Sequence, residues 1–185
     1  MEKIHSAIDD RLRTFIEAQH IFFVATAPAG IAGNVNISPK GLDTFRILGA
    51  NEVAYIDFIG SGAETIAHLR ENGRIVIMFC AFDGPPQIIR MHGRGEVIEP
   101  QDDRFRSLRA KFHPAPGVRA IIRIEIKRIS DSCGYAVPKF RFERQRDQLS
   151  AWADRKGEQA LDIYQREKNS VSIDGLPALR WVEKT

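Results

Sequence analysis

The stretch DFIGSGAET, Asp57 to Thr65, holds the residue types of an anion site. It lies between an apolar run and a helical pattern, so free backbone N–H groups and the positive end of a helix dipole meet there, and Gly60 and Gly62 carry no side chain to block an approaching phosphate. The same residues also fit a purely structural job. Ser61 and Glu64 have capping-box spacing, the serine oxygen accepting from a backbone N–H while the glutamate reaches back to the cap. Either way a helix is expected from about Gly62 to Glu71, stopped by Asn72-Gly73. No GxGxxG follows a strand and no GKS or GKT occurs, which excludes a dinucleotide fingerprint and a P-loop. Arg90, in QIIRMHG, shares a strand face with Ile88 and His92, opposite Ile89 and Met91. An arginine isolated among apolar strand residues has a specific anionic partner or snorkels to water.

These residues must be positioned by the elements around them. Ile4, Ile8, Leu12, Phe15 and Ile16 recur at helical spacing, giving an amphipathic helix over His5 to Gln19. Strands follow at IFFVATAP, NVNIS, FRILG and VAYIDF, then at RIVIMFCAF after the short helix, and at QIIRMHGRGEVI, where Gly93 and Gly95 signal a bulge or a close backbone approach. PQDDRFRSLRAKF, Pro100 to Phe112, reads as a helix, RAIIRIEIKRI as a strand with one face in a core and the other in water, and Phe142 to Lys168 as a helical tract interrupted near Gly157. Strands joined mostly by turns cannot make a parallel βαβ sheet, so a mainly antiparallel closed or partly closed barrel with flanking helices is expected.

Composition narrows the class. The 185 residues suit one domain. The 27 basic against 24 acidic residues give a net charge of only +3, and the densest basic stretches, Arg104 to Lys111 and Arg141 to Arg146, also carry helix-period apolar residues, so they read as solvated helix faces and nucleic acid is a minor alternative. Two cysteines far apart and outside any CxxC, with no HxH or HExxH among five histidines, give no disulfide framework and no metal site. Cys133 reads as a packed small residue, and Tyr135, Trp152 and Trp181 as core. The polar N-terminus and the lack of an apolar run near membrane-span length point to a soluble, cytoplasmic protein.

FFVATA, NVNISPKG, VAYIDFIGSGAET, ENGRIVIMF and PQIIRMHGRGEVI, in that order and spacing, resemble the pyridoxamine 5'-phosphate oxidase-like family of FMN-binding split barrels, and SCGYAVP and SIDGLPAL look like the tail of one oxidase branch of it. The resemblance covers about residues 20–130 as barrel, with 131–185 as a C-terminal helical extension. It implies a six-stranded antiparallel split barrel and a homodimer with FMN at the interface. By the same resemblance the strand leading to SPKG lies along the flavin ring, making Asn36, Ser38 and Lys40 candidates to hold it. Asn36 and Ser38 alternate with Val35 and Ile37, so they share a face that is either the flavin side or plain solvent, and Lys40 is otherwise a solvated loop lysine.

At the phosphate end the family's Arg-Lys pair is matched here by Glu64 and Thr65, and a second family arginine by about Val35. The N–H groups from Gly62 to Thr65 and the hydroxyls of Ser61 and Thr65 can still donate, with Arg74 or Arg90 as the expected cation. Losing both basic anchors argues against pyridoxamine phosphate as substrate. The expectation is an FMN-dependent oxidoreductase of an unidentified small molecule, with NAD(P)H as a possible electron donor; the alternative is a non-catalytic flavin- or haem-handling protein on the same barrel.

Overall fold

A computed structural model describes residues 3–183. Eight strands form one antiparallel sheet: β1 (Lys3–His5), β2 (Phe22–Thr26), β3 (Asn36–Lys40), β4 (Phe45–Gly49), β5 (Glu52–Phe58), β6 (Arg74–Cys80), β7 (Ile88–Ile98) and β8 (Val118–Ser132). Neighbours run β3-β2-β6-β7-β8-β5-β4, with β1 added to β8. The helices are α1 (Asp10–Glu17), α2 (Glu64–Asn72), α3 (Phe105–Arg109) and α4 (Gln148–Lys168), followed by a 3-10 turn at Trp181–Glu183.

The antiparallel expectation holds, but the strand count of six does not. β8 is 15 residues long, so its first half pairs β5 while its end is left for β1 at Lys3↔Asp131 and His5↔Ile129. His5, expected to open the first helix, instead ends that extra strand, and the helix begins after Asp9, whose carboxylate accepts from the Leu12 N–H at 2.7 Å. The sheet path is open, with β3 and β4 at its ends. It nevertheless curls, because Phe22 of β2 and Phe45 of β4 meet edge to face with ring centroids 5.1 Å apart. Inside the curl lies the main core, with Val24, Tyr55, Ile66, Ile77, Phe79, Ile89, Met91 and Ile122 all buried.

β8 departs from simple alternation. At Ala120, Ile121 and Ile122 both faces are buried, because Ile121 packs outward with Ala54, Ile56, Ile98 and Phe112 in a second cluster that α3 covers. The helix expected over Pro100 to Phe112 shortens to α3, since Asp102 turns its carboxylate onto the Arg104 N–H at 2.9 Å and ties the approach into a turn. The helical tract expected from Phe142 starts only at Gln148; before it the chain is irregular, with Phe142 stacked on His20 at 3.7 Å. The break at Gly157 is present, with φ 69°. Cys133 is exposed, not packed. No described helix is long and apolar enough to cross a membrane.

The β7 bulge falls between His92 and Gly93. A Cβ on Gly93 would sit 2.4 Å from the Glu125 carbonyl oxygen and 2.9 Å from Ile124 Cγ2. Gly93→Ala is therefore expected to lower unfolding free energy by about 1–3 kcal/mol, because backbone has to move; urea denaturation checks this, and an unchanged midpoint would contradict the close approach.

Candidate functional site

The polar residues singled out on β3 turn inward. Asn36 Nδ2 donates to Thr65 Oγ1 at 3.0 Å and to Thr26 Oγ1 at 3.2 Å, and Ser38 Oγ donates to Asn36 Oδ1 at 3.2 Å. Their face is thus not plain solvent; the side chains left outside on that strand and before it are apolar, with Val35 75% and Ile37 65% exposed. Thr26, whose oxygen receives the Asn36 N–H, also meets His68 Nδ1 at 3.0 Å. His68 is fully buried, its Nε2 lacks a partner, and burial lowers its pKa.

Lys40 ends this face in an ion pair. Its Nζ donates to Asp57 Oδ1 at 2.9 Å, and the other carboxylate oxygen of Asp57 accepts from Arg119 Nε at 2.7 Å. Arg119 then donates through Nη1 to the Gly62 carbonyl at 2.7 Å, tying β8 to the loop before α2. Burial alone would raise the Asp57 pKa, but Arg119 and Lys40 overcome it and hold the carboxyl at about 2. Two cations share one anion, so the cluster keeps one net positive charge, with Lys40 22% exposed and Arg119 5%. Tyr55 stands beside them, its hydroxyl fully buried and without a partner in hydrogen-bonding geometry. Its pKa is raised well above the usual value by burial and by the charge of Asp57.

The loop before α2 does not form the expected capping box. The N-cap is Ala63, no side chain caps the helix, and Ser61 is exposed. The tertiary bonds of this loop supply the reason: Gly62 is held by Arg119, and Gly60 accepts from Asn169 Nδ2 at 2.9 Å. Glu64 folds over Gly62, where its Oε2 would lie 2.2 Å from an added Cβ, and its Oε1 accepts from the Ile173 N–H at 3.3 Å. Ser61→Ala should accordingly leave the unfolding free energy unchanged to within about 0.5 kcal/mol, read by thermal melting; a loss of about 1 kcal/mol would reinstate the cap. The helix does stop at Gly73, with φ 69°, as its sequence indicates.

Arg74 and Arg90 do not join this group. Arg74 follows the C-terminal end of α2, one helix length from Thr65, and bonds Asn72 Oδ1 and the Pro28 carbonyl. Arg90 lies on the outer side of β7 and donates to Ser132 Oγ at 2.9 Å, a neutral partner. The cation at the α2 loop is Arg119, which sequence reasoning missed. Asp57 was its signal, a carboxylate inside the apolar run VAYIDFI that demands a buried partner.

At Gly41, which follows Lys40 in the chain, lies a cavity of about 400 Å³, lined also by Phe22, Phe45, Phe79, His20, Arg46 and Gln145 among others. Phe22 is the register partner of Lys40 across β2 and β3. Leu42 and Asp43, which lead from β3 towards β4, both have positive φ, 62° and 52°.

The model of the pyridoxamine 5'-phosphate oxidase family matches residues 8–133. The chain belongs to this family. A pyridoxamine 5'-phosphate oxidase family protein of Aspergillus flavus, ustO, is 38% identical over 198 residues, spanning 97% of this chain and 78% of the fungal protein. Among solved structures, HupZ from Group A Streptococcus superposes with a TM-score of 0.51 at 22% identity, covering 66% of this chain and 91% of that one. A FAD-binding protein from Mesorhizobium loti superposes with a TM-score of 0.50 at 16% identity, covering 71% and 96%. At these identities the two structures speak for the fold. The family assignment accounts for the antiparallel sheet with its single helix between β5 and β6, and the matched region ends just past β8, leaving 134–185 as an extension outside it.

Proposed function

We propose that the chain is a homodimeric flavoprotein that binds FMN and uses it as an oxidoreductase on a small molecule. Membership of the pyridoxamine 5'-phosphate oxidase family supports a flavin, as does the flavin named for the M. loti fold neighbour. The observation that carries the reading is Lys40: a partly exposed ammonium, fixed by a buried carboxylate and backed by Arg119, leaves a preorganised positive charge at the end of a strand. The residues fit the ring end of a flavin. Lys40 would hold the ring edge where negative charge gathers on reduction, and Asn36 and Ser38 fix the strand that presents it. When bound, the flavin supplies hydride chemistry; the protein supplies position and charge, so no acid–base pair is demanded of the side chains.

The cavity beside Phe22 is the candidate substrate pocket, with three phenylalanine rings for an apolar or aromatic body and polar groups at its rim. Pyridoxamine phosphate is not the proposed substrate, because Glu64, Thr65 and Val35 stand where the basic anchors are expected. The exposed apolar side chains of Ile37 on the edge strand β3 and of Val35 just before it offer a surface for a second copy. A cytoplasmic setting and NAD(P)H as electron donor belong to the same proposal.

The test is anaerobic mixing of the FMN-loaded protein with NADH or NADPH. Bleaching of the flavin, followed by turnover on re-admission of oxidant, is the expected result. Flavin that stays bound and oxidised would assign the chain to non-catalytic binders.

A further inference from the structure

The C-terminal segment 169–179 crosses the start of α2. Its root is anchored, with Ala178 and Leu179 fully buried and the Ala178 carbonyl accepting from Arg70 Nε. Its tip is a closed turn: Val171 bridges Pro177, Ser172 Oγ accepts from the Asp174 and Leu176 N–H groups at 3.2 Å, and Gly175 has φ 74°. Apart from the half-buried Leu176, which packs against the main core, the tip touches the rest of the chain through polar contacts. Asp174 accepts from the Asn34 N–H at 2.9 Å and from Asn34 Nδ2 at 2.7 Å, and the Ile173 N–H donates to Glu64. Ile173 itself is 71% exposed, so the apolar hold on the tip comes from Leu176. Asn169, at the root of the segment and buried against Gly60, has an Oδ1 without a partner, so the contact between segment and loop leaves one acceptor unmet.

In this closed arrangement the carboxylate of Glu64 lies over Gly62, at the very place where a phosphate would approach the α2 N–H groups. A phosphate does not fit there while the carboxylate stays, since like charges repel and the space is taken. The cations nearby are already engaged, Lys40 with Asp57 and Arg119 with both Asp57 and the Gly62 carbonyl.

We propose that residues 169–179 form a latched strap and that Glu64 is the specificity-determining residue it controls. Closed, the strap keeps a carboxylate on the α2 loop and disfavours ligands that end in a phosphate dianion; lifted, it releases Glu64 and opens the loop to them. The latch itself does not depend on the flavin proposal, whereas the ligand preference rests on it.

The experiment uses the full chain as Asp174→Ala and Glu64→Gln, with FMN and riboflavin as probes. Hydrogen exchange is measured first, without ligand. Asp174→Ala is expected to speed exchange about 10-fold at 170–176 and at 62–66, while faster exchange at 170–176 alone, or none, overturns the latch. Flavin titration follows. Both variants should bind FMN about 10-fold more tightly than the parent with riboflavin unchanged, and Glu64→Gln, which keeps the acceptor, should do so without loosening 170–176. Equal gains for both flavins, or none for FMN, overturn the role of Glu64. If no protein takes up either flavin, the flavin proposal and the ligand preference fall, and exchange alone decides the latch.

Discussion

Asp57→Ala is expected to lower unfolding free energy by about 3–5 kcal/mol, because it strips the shared carboxylate from two cations and leaves Arg119 buried and uncompensated. For a chain of this length that corresponds to a fall in melting temperature of roughly 6–20 °C. Removing the cation as well should recover much of the loss, so Asp57→Leu combined with Arg119→Met is expected to be more stable than Asp57→Ala. The same carboxylate sets an acid limit. Its folded pKa of about 2 lies below the unfolded value, so its contribution is complete above pH of about 4 and is lost as the pH falls through about 2. That contribution is about 2 kcal/mol, and Asp57→Ala should flatten this part of the stability profile. A variant that melts like the parent, with an unchanged acid limb, would show that Asp57 holds nothing together.

Lys40→Ala is expected to weaken FMN binding by about 10- to 100-fold, the range for losing a charge-assisted hydrogen bond to a bound group, and to make the flavin harder to reduce. Stability should change far less than in Asp57→Ala, since Asp57 keeps Arg119 and Lys40 is 22% exposed. Lys40→Arg keeps the charge and should retain part of the affinity. Titration by flavin fluorescence, with the reduction potential from a dye equilibrium, measures both effects. An affinity and a potential equal to the parent's would return Lys40 to a structural pairing with Asp57.

The strands and their stops were legible because their causes are local. Alternation along QIIRMHG sets Ile89 and Met91 inward and Arg90 outward, as its period demands, and Gly73 and Gly93 mark a left-handed stop and a bulge because no other residue fits there as easily. What escaped depends on partners remote in sequence. β1 exists only because β8 runs on past β5, and nothing within Lys3 to His5 announces that. Ser61 and Glu64 satisfy the spacing of a cap, yet Asn169, Arg119 and Ile173 claim the loop and the glutamate first. Asn36, Ser38, Lys40 and Thr65 are brought together around Asp57 and Thr26, whereas Arg74 and Arg90, expected as the cation, lie elsewhere. Arg119 stands 62 positions from Asp57, and no sequence periodicity connects them.

The most direct measurement is equilibrium titration of the purified full chain with FMN, read by the visible flavin spectrum and by flavin content after gel filtration. A yellow protein holding one FMN per chain, with weaker retention in Lys40→Ala, is the expected result. A colourless protein that takes up no FMN at concentrations well above those of ordinary flavoprotein sites would contradict the flavin assignment.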